Sequence, residues 1–212
     1  MKKFWKILLI VLAVLLAAVV LLFAWLTITE YRPDPVTELD VVSSEEGSLI
    51  PSDRELSIMS WNIGYAGLGE DSDFFMDGGE GVRPSDAETV RQNMLGIEDL
   101  IRGADADFVM LQEVDTDSKR SYGYDQWRQY EFDLADYESR FALNYSCDYV
   151  PYPVTEPIGR VHSGVATYSR YDITAVTACR ARSRGRCASP ISSAVCSSPA
   201  SPSTARSRSS CS

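Results

Sequence analysis

Cysteine and basic charge are both scarce over most of this chain. Only Cys147 precedes residue 173, and the other four cysteines, at positions 179, 187, 196 and 211, lack the spacing of zinc ligands. We therefore expect neither a disulfide framework nor a zinc knuckle. Residues 1–172 contain 14 Lys and Arg against all 30 Asp and Glu of the chain, and so acidic a domain repels a phosphate backbone. This balance disfavours a large nucleic acid as the partner.

The longest apolar run lies near the N-terminus. Residues 7–26 form about 20 uninterrupted apolar positions, enough for a helix to cross a bilayer core of roughly 30 Å. Three lysines precede the run and acidic residues follow it, so the positive-inside rule predicts a cytoplasmic N-terminus (residues 1–6) and an extracytoplasmic domain. A cleaved signal peptide is the alternative, although the run exceeds the usual apolar core of about 7–15 residues. A buried core helix suits a run that is apolar on every side less well.

After the apolar run, the chain is predicted to pass through a linker into a layered domain. Residues 27–55 are polar, acidic and interrupted by prolines, which predicts an extended juxtamembrane linker. Residues 56–63 are apolar on both alternating faces and predict a strand buried between layers, and residues 107–113 predict a second, central strand.

A helix is predicted between these two strands. Ser85 and Glu88 have the spacing of a capping box, and Gly103 is placed to end the helix. Its apolar stripe consists of Val90, Met94, Ile97 and Ile101. Strand, helix and strand in this order predict a crossover in an α/β domain, with a second helix at 125–134 and further strands at 141–145 and 164–168.

Three segments together resemble the endonuclease/exonuclease/phosphatase superfamily. They are SIMSWNIGY at 57–65, DFVMLQEVD at 107–115 and HSGVATYSRY at 162–171. The resemblance covers residues 56 to about 172 and is closest to bacterial members with an N-terminal membrane anchor. It implies an α/β fold, the four-layer α/β sandwich in which two β-sheets pack face to face with helices outside. Residues 56–172 would supply mainly its N-terminal half.

The same resemblance implies two site residues. Glu113 corresponds to the glutamate that holds the catalytic divalent cation, usually Mg²⁺, with Mn²⁺ as a second candidate, and Asn62 corresponds to the active-site asparagine. Both follow predicted strands, and open α/β sheets bind ligands at the carboxyl ends of their strands. Taken alone, Glu113 would be a solvated strand-end carboxylate, and Asn62 would shape the turn into Gly64.

The only histidine, His162, is predicted to lie in a loop. It is not part of the late family motif that supplies the catalytic histidine. We predict that it borders the cleft and contacts substrate, and an ordinary loop histidine is the alternative. Gln112 and Asp115 are predicted to be scaffold residues, the first supporting the strand end and the second in solvent.

The family pattern is incomplete after Asp172. Residues 173–212 contain neither the Asp-x-Asn motif nor the Asp-His pair of complete members, and they have no acidic residue and no second histidine. Their 12 serines and six arginines predict a disordered tail. The abrupt change of composition indicates a shifted reading frame, and a functional tail that binds anionic lipid or nucleic acid is the alternative.

The predicted function is therefore metal-dependent hydrolysis of a phosphoester or phosphodiester, implied by the family and lost in this truncated chain. The predicted substrate is a phospholipid headgroup or a small phosphate ester rather than nucleic acid. The alternative is a non-catalytic, membrane-anchored binding protein. The sequence suggests no protein partner.

Overall fold

The computed structural model describes residues 2–39, 48–69, 72–74, 78–173, 176–180 and 193–197. The helices are α1 (Lys2–Ile28), α2 (Ala87–Ala104) and α3 (Gln126–Asp133). The strands are β1 (Val36–Leu39), β2 (Ile58–Asn62), β3 (Phe108–Asp115), β4 (Glu138–Val150), β5 (Gly159–Ser169), β6 (Val176–Arg180) and β7 (Ser193–Ser197). Two short 3-10 helices, Gly64–Ala66 and Lys119–Ser121, follow β2 and β3.

These strands form two sheets. The four-stranded sheet has the order β2-β3-β5-β4, in which β2 is parallel to β3, and β5 is antiparallel to both β3 and β4. Strands β2, β3 and β4 consequently end at one side of the sheet, which we call the carboxyl edge. The second sheet is antiparallel, with the order β1-β6-β7, and β7 approaches β5 and β4. The predicted α/β architecture is confirmed as an incomplete sandwich preceded by an apolar helix.

Helix α2 matches its predicted apolar stripe but begins at a different cap. Val90, Met94, Ile97 and Ile101 are its buried residues, as predicted. The cap is Asp86 rather than Ser85, because the Asp86 carboxylate accepts a hydrogen bond of 2.7 Å from the Thr89 backbone N–H. A charged acceptor at a helix N-terminus forms a stronger cap than a hydroxyl. The helix passes Gly103 and ends at Ala104, before the left-handed Asp105.

Helices α2 and α3 cover one face of the four-stranded sheet. The core on this face combines the α2 stripe with Val109, Leu111, Ala166 and Tyr168 of the central strands. On β2, Met59 and Trp61 pack against this core, whereas Ile58 on the opposite face is exposed. The prediction that β2 is buried between layers is therefore wrong for one face. Its cause is the topology: β2 lies at the edge of its sheet, while the second sheet approaches β4 and β5.

The segments outside the predicted domain also contain regular structure. Within the helical residues Lys3–Ile28, an 18-residue window has a mean hydropathy of 3.5 and is not buried within the protein, so this helix is long and apolar enough to cross a membrane. Within the predicted linker, β1 forms a strand that pairs Leu39 with Val176. In place of predicted disorder, β6 and β7 are strands, because backbone pairing supplies hydrogen bonds whatever the side-chain composition. The rest of that tail, 174–175, 181–192 and 198–212, lies outside the described residues.

Candidate active site at the carboxyl edge

Asn62 and Glu113 meet at the carboxyl edge. Asn62 is the last residue of β2 and lies in register with Gln112 of β3. Its amide Nδ2 donates a hydrogen bond of 2.9 Å to Glu113 Oε1, and its Oδ1 accepts one of 2.9 Å from the Gly64 backbone N–H. Asn62 therefore shapes the turn into Gly64 and also contacts Glu113, while its active-site role stays a prediction.

A bulge in β3 directs the Glu113 side chain. The pairing between β3 and β5 shifts register between Leu111 and Val114, and Glu113 within this interval has a left-handed φ of 56°. Bulges reorient side chains and are frequent beside active sites, and a left-handed glutamate is unusual. The Glu113 side chain is half-buried, and its Oε2 has no hydrogen-bond partner among the described residues. One carboxylate oxygen is thus held by Asn62, while the other is available.

A second acidic residue at this edge, Asp115, is already paired with an arginine. Asp115 is 0% exposed and accepts two hydrogen bonds of 2.9 Å from Arg120 Nε and Nη2. Ser121 donates to the same carboxylate, and Gln126 Oε1 accepts from the Asp115 backbone N–H. The prediction that Asp115 is solvated is wrong, because the loop after β3 folds back and encloses it with Arg120.

Arg120 was not predicted as part of the site. Its guanidinium lies 3.9 Å from the centre of the Tyr65 ring, and its Nη2 donates to Ser163 Oγ at 3.3 Å. Burial lowers the pKa of Arg120, but the hydrogen bonds and charge of Asp115 raise it above its usual value, and Tyr65 and Glu113 add to this effect. A permanent positive charge thus lies close to the Glu113 carboxylate. The only sequence signal was an arginine five residues after an acid, and that spacing does not specify a contact across a loop.

His162 lies in strand β5 rather than in a loop. Its backbone N–H donates to Ser118 Oγ at 2.9 Å, and its carbonyl accepts from the Thr116 N–H at 3.0 Å. Because successive side chains of a strand point to opposite faces, its ring points away from the face on which Ser163 meets Arg120. In the described part of the chain, His162 makes no hydrogen bond with Asn62 or Glu113, and its Nε2 is buried without a partner. Its contact with substrate stays a prediction.

Gln112 has the predicted scaffold role. Its Nε2 donates to Ser60 Oγ at 3.2 Å and to the Met110 carbonyl at 3.1 Å. The first of these bonds joins β3 to β2 one residue before Glu113 and two residues before Asn62. Gln112 thus ties together the two strand ends that carry the site.

The donor atoms at this edge fit a hard cation held by a single protein carboxylate. Within the described ranges, no group of three or more His, Cys, Asp or Glu side chains is placed to hold a metal ion. Mg²⁺ keeps several waters and takes only one or two protein carboxylates when substrate phosphate completes its shell. Glu113 Oε2 has the chemistry of such a ligand, whereas Asp115 is committed to Arg120.

Fold and site together define a layered α/β protein with polar side chains at the carboxyl ends of two adjacent strands. A family model described as Endonuclease/Exonuclease/phosphatase family matches residues 59–205, more than half of the chain, and the chain belongs to this family of hydrolases. The match begins in β2 and continues past Asp172, so it also includes much of the segment that we interpret as frameshifted. No curated protein and no solved structure matches the chain.

Proposed function

We propose that the carboxyl edge is the active site of a metal-dependent phosphoesterase or phosphodiesterase, at which Glu113 holds Mg²⁺ or Mn²⁺. The observation that carries this proposal is the hydrogen bond of 2.9 Å between Asn62 and Glu113, which leaves one carboxylate oxygen available at the ends of two parallel strands. Family membership supports the reaction class.

Each residue has a distinct task in this proposal. Asn62 fixes the orientation of the Glu113 carboxylate through one oxygen and leaves the other for the cation. The bound cation would polarise a phosphoryl oxygen and stabilise the charge that develops on it. Arg120 adds fixed positive charge close to Glu113 and, by binding Asp115, keeps that acid from competing for the cation.

The substrate we propose is a phospholipid headgroup or a small phosphate ester at the outer face of the membrane. The acidic charge of residues 1–172 opposes a long polyanion, and α1 is long and apolar enough to anchor the domain with its N-terminus in the cytoplasm. We further propose that this chain binds metal and phosphate without completing turnover. Residues 173–212 carry no acid and no histidine to add a second metal ligand or a general base.

Metal binding is the direct test. Mn²⁺ bound to the full chain in lipid nanodiscs is counted by electron paramagnetic resonance for the parent, for Glu113→Gln and for a matched control, Glu55→Gln. Glu55 is an exposed acid at the opposite end of β2. The parent and the control should bind alike, while Glu113→Gln should bind more weakly by more than about tenfold, since it loses the proposed ligand itself. Equal affinity in all three proteins would refute the site.

Hydrolysis of bis(p-nitrophenyl) phosphate with Mg²⁺ distinguishes a working phosphoesterase site from a site that binds metal but has lost turnover. Metal binding that depends on Glu113 without release of nitrophenol supports a site that has lost turnover. Release that is abolished in Glu113→Gln supports the phosphoesterase site and refutes the loss of turnover. A stably folded chain that binds no metal favours the alternative, a non-catalytic binding protein.

A further inference from the structure

The hairpin between β4 and β5 exposes apolar and aromatic side chains at the carboxyl edge. Tyr149 near the end of β4 is exposed, as is Tyr152 in the connection, and Val154 is 87% exposed. Glu156 on the same connection forms an ion pair of 3.2 Å with Arg83, which lies shortly before α2. The hairpin tip, which we define as residues 149–154, is thus fastened at the same end of the sheet as Asn62 and Glu113.

The chain that leaves α1 runs beside β4. Tyr31 follows the last residue of α1, Ile28, by three positions, which is at most about 11 Å of extended chain. The Tyr31 hydroxyl donates to the Leu143 carbonyl at 3.4 Å. Because β4 is an edge strand, this contact places the end of α1 beside the four-stranded sheet.

The register of the sheet gives the level of this contact. Leu143 pairs with Gly164 of β5, and Gly164 also pairs with Val114, the residue after Glu113 in β3. Tyr31 therefore meets β4 at the level of the carboxyl edge. Because Ile28 is only three residues from Tyr31, α1 ends near this edge.

We propose that the hairpin tip is a membrane-docking surface, which seats in the interface of the bilayer that α1 enters and holds the carboxyl edge toward the lipid headgroups. Tyrosine is enriched at membrane interfaces, where its ring meets acyl chains and its hydroxyl meets water, and an exposed valine gains from burial beside it. The bilayer is the partner because the same chain carries the apolar helix, and this helix ends three residues before Tyr31, which meets β4 at the level of the carboxyl edge. The inference rests on α1 crossing the membrane and does not depend on turnover.

Docking of the hairpin tip would favour a membrane lipid as the substrate of the proposed function. A site at the carboxyl edge would face phosphates in the headgroup plane, so a membrane lipid would reach Glu113 without leaving the bilayer. A soluble ester would instead have to enter between the domain and the membrane.

Fluorescence quenching by brominated phosphatidylcholine tests the docking surface in the full chain. The variants Val154→Trp and Phe132→Trp are reconstituted in vesicles of ordinary lipid and of lipid brominated in the upper part of the acyl chains. Phe132 is the matched control, since it is 80% exposed but lies on α3, away from the hairpin. The emission of the parent protein in the same vesicles is subtracted, which removes the contribution of its four tryptophans, at positions 5, 25, 61 and 127. A Tyr149→Trp variant examines the same surface at a second position.

The proposal predicts that bromine removes at least about half of the emission added by Val154→Trp and by Tyr149→Trp, as expected for side chains at interfacial depth. The emission added by Phe132→Trp should be unchanged. Quenching of both hairpin variants no stronger than that of Phe132→Trp overturns the proposal, and so does a chain whose α1 tryptophans are not quenched. Neither result bears on metal binding by Glu113, which is measured separately.

Discussion

At the scale of single residues, the candidate site depends on a difference in hydrogen bonding between two acids of β3, Glu113 and Asp115. Glu113 keeps one carboxylate oxygen available, whereas Asp115, two residues further on, is enclosed and paired with Arg120. Asp115 is 0% exposed and the Arg120 side chain 18%, so neither charge has much contact with water. Removing one partner from such a buried pair leaves the other uncompensated.

We therefore predict that Arg120→Met lowers the free energy of unfolding by about 3–5 kcal/mol, because it leaves Asp115 buried and unpaired. Arg160→Met is the matched control, since Arg160 pairs with Asp117 at 2.7 Å but both side chains are about half exposed. Loss of that exposed pair should cost about 1 kcal/mol or less. Urea unfolding of both variants measures the difference, and equal losses would mean that the Arg120 pair is not a buried one.

Arg120→Lys separates charge from geometry. Lysine keeps the positive charge but cannot form the two parallel hydrogen bonds to Asp115 or stack on Tyr65 in the same way. It should be more stable than Arg120→Met and less stable than the parent. A lysine variant that is as unstable as the methionine variant would show that the planar guanidinium, rather than its charge, is what Asp115 requires.

At the scale of helices and strands, the sequence predicted the elements whose apolar pattern is visible within one short segment. The stripe of α2 and the strands around Trp61 and Leu111 follow from apolar periodicity, which is visible in one short window. The bulge that turns Glu113 and the loop that returns Arg120 to Asp115 depend on pairing with β5 and on enclosure by other elements. Likewise, β6 pairs with β1 across more than 130 residues of chain, and a run of five residues does not reveal so distant a partner.

Asp107, which directly precedes β3, links the residues before β2 to the residues after β5, at the end of the sheet opposite the site. Its carboxylate accepts hydrogen bonds from Arg54, from the Ser57 N–H at 2.8 Å and from the Tyr171 hydroxyl at 2.7 Å. These donors, Arg54 first, hold its pKa well below the ordinary value of 3.8. A carboxylate with a lowered pKa in the folded state stabilises the fold above the pKa of the unfolded state, and this stabilisation is lost as the pH falls.

The pH dependence of stability should therefore change in Asp107→Asn. We expect the variant to be less stable than the parent near pH 7, and the difference to shrink as the pH falls below 3.8, the ordinary pKa of this carboxyl. Urea midpoints measured from about pH 7 to about pH 3 give the two curves. Asp136→Asn, at an exposed acid, is the control. Parallel curves for Asp107→Asn and the parent would contradict the role assigned to Asp107.

At the scale of the whole molecule, charge and hydrophobicity act in opposite directions at the membrane. The apolar helix and the hairpin tip favour the bilayer, whereas residues 1–172 hold 30 acids against 14 bases, three of them lysines that precede the apolar run. An acidic domain is repelled by an anionic surface, and the repulsion is screened over about 10 Å at 0.1 M salt. The domain is therefore suited to a bilayer with little net charge.

Docking of the hairpin tip should consequently weaken on anionic lipid, in contrast to the stronger binding that basic proteins show. We predict that the bromine quenching of Val154→Trp falls when anionic phospholipid is added at low ionic strength, because the acidic domain tilts away from the surface to which α1 tethers it. Salt at about 1 M, where the Debye length is about 3 Å, should restore the quenching. The same measurement on Phe132→Trp should show no change. Stronger quenching on anionic lipid at low salt would instead mean that the six arginines after residue 173, rather than the acids before it, determine how the domain meets the membrane.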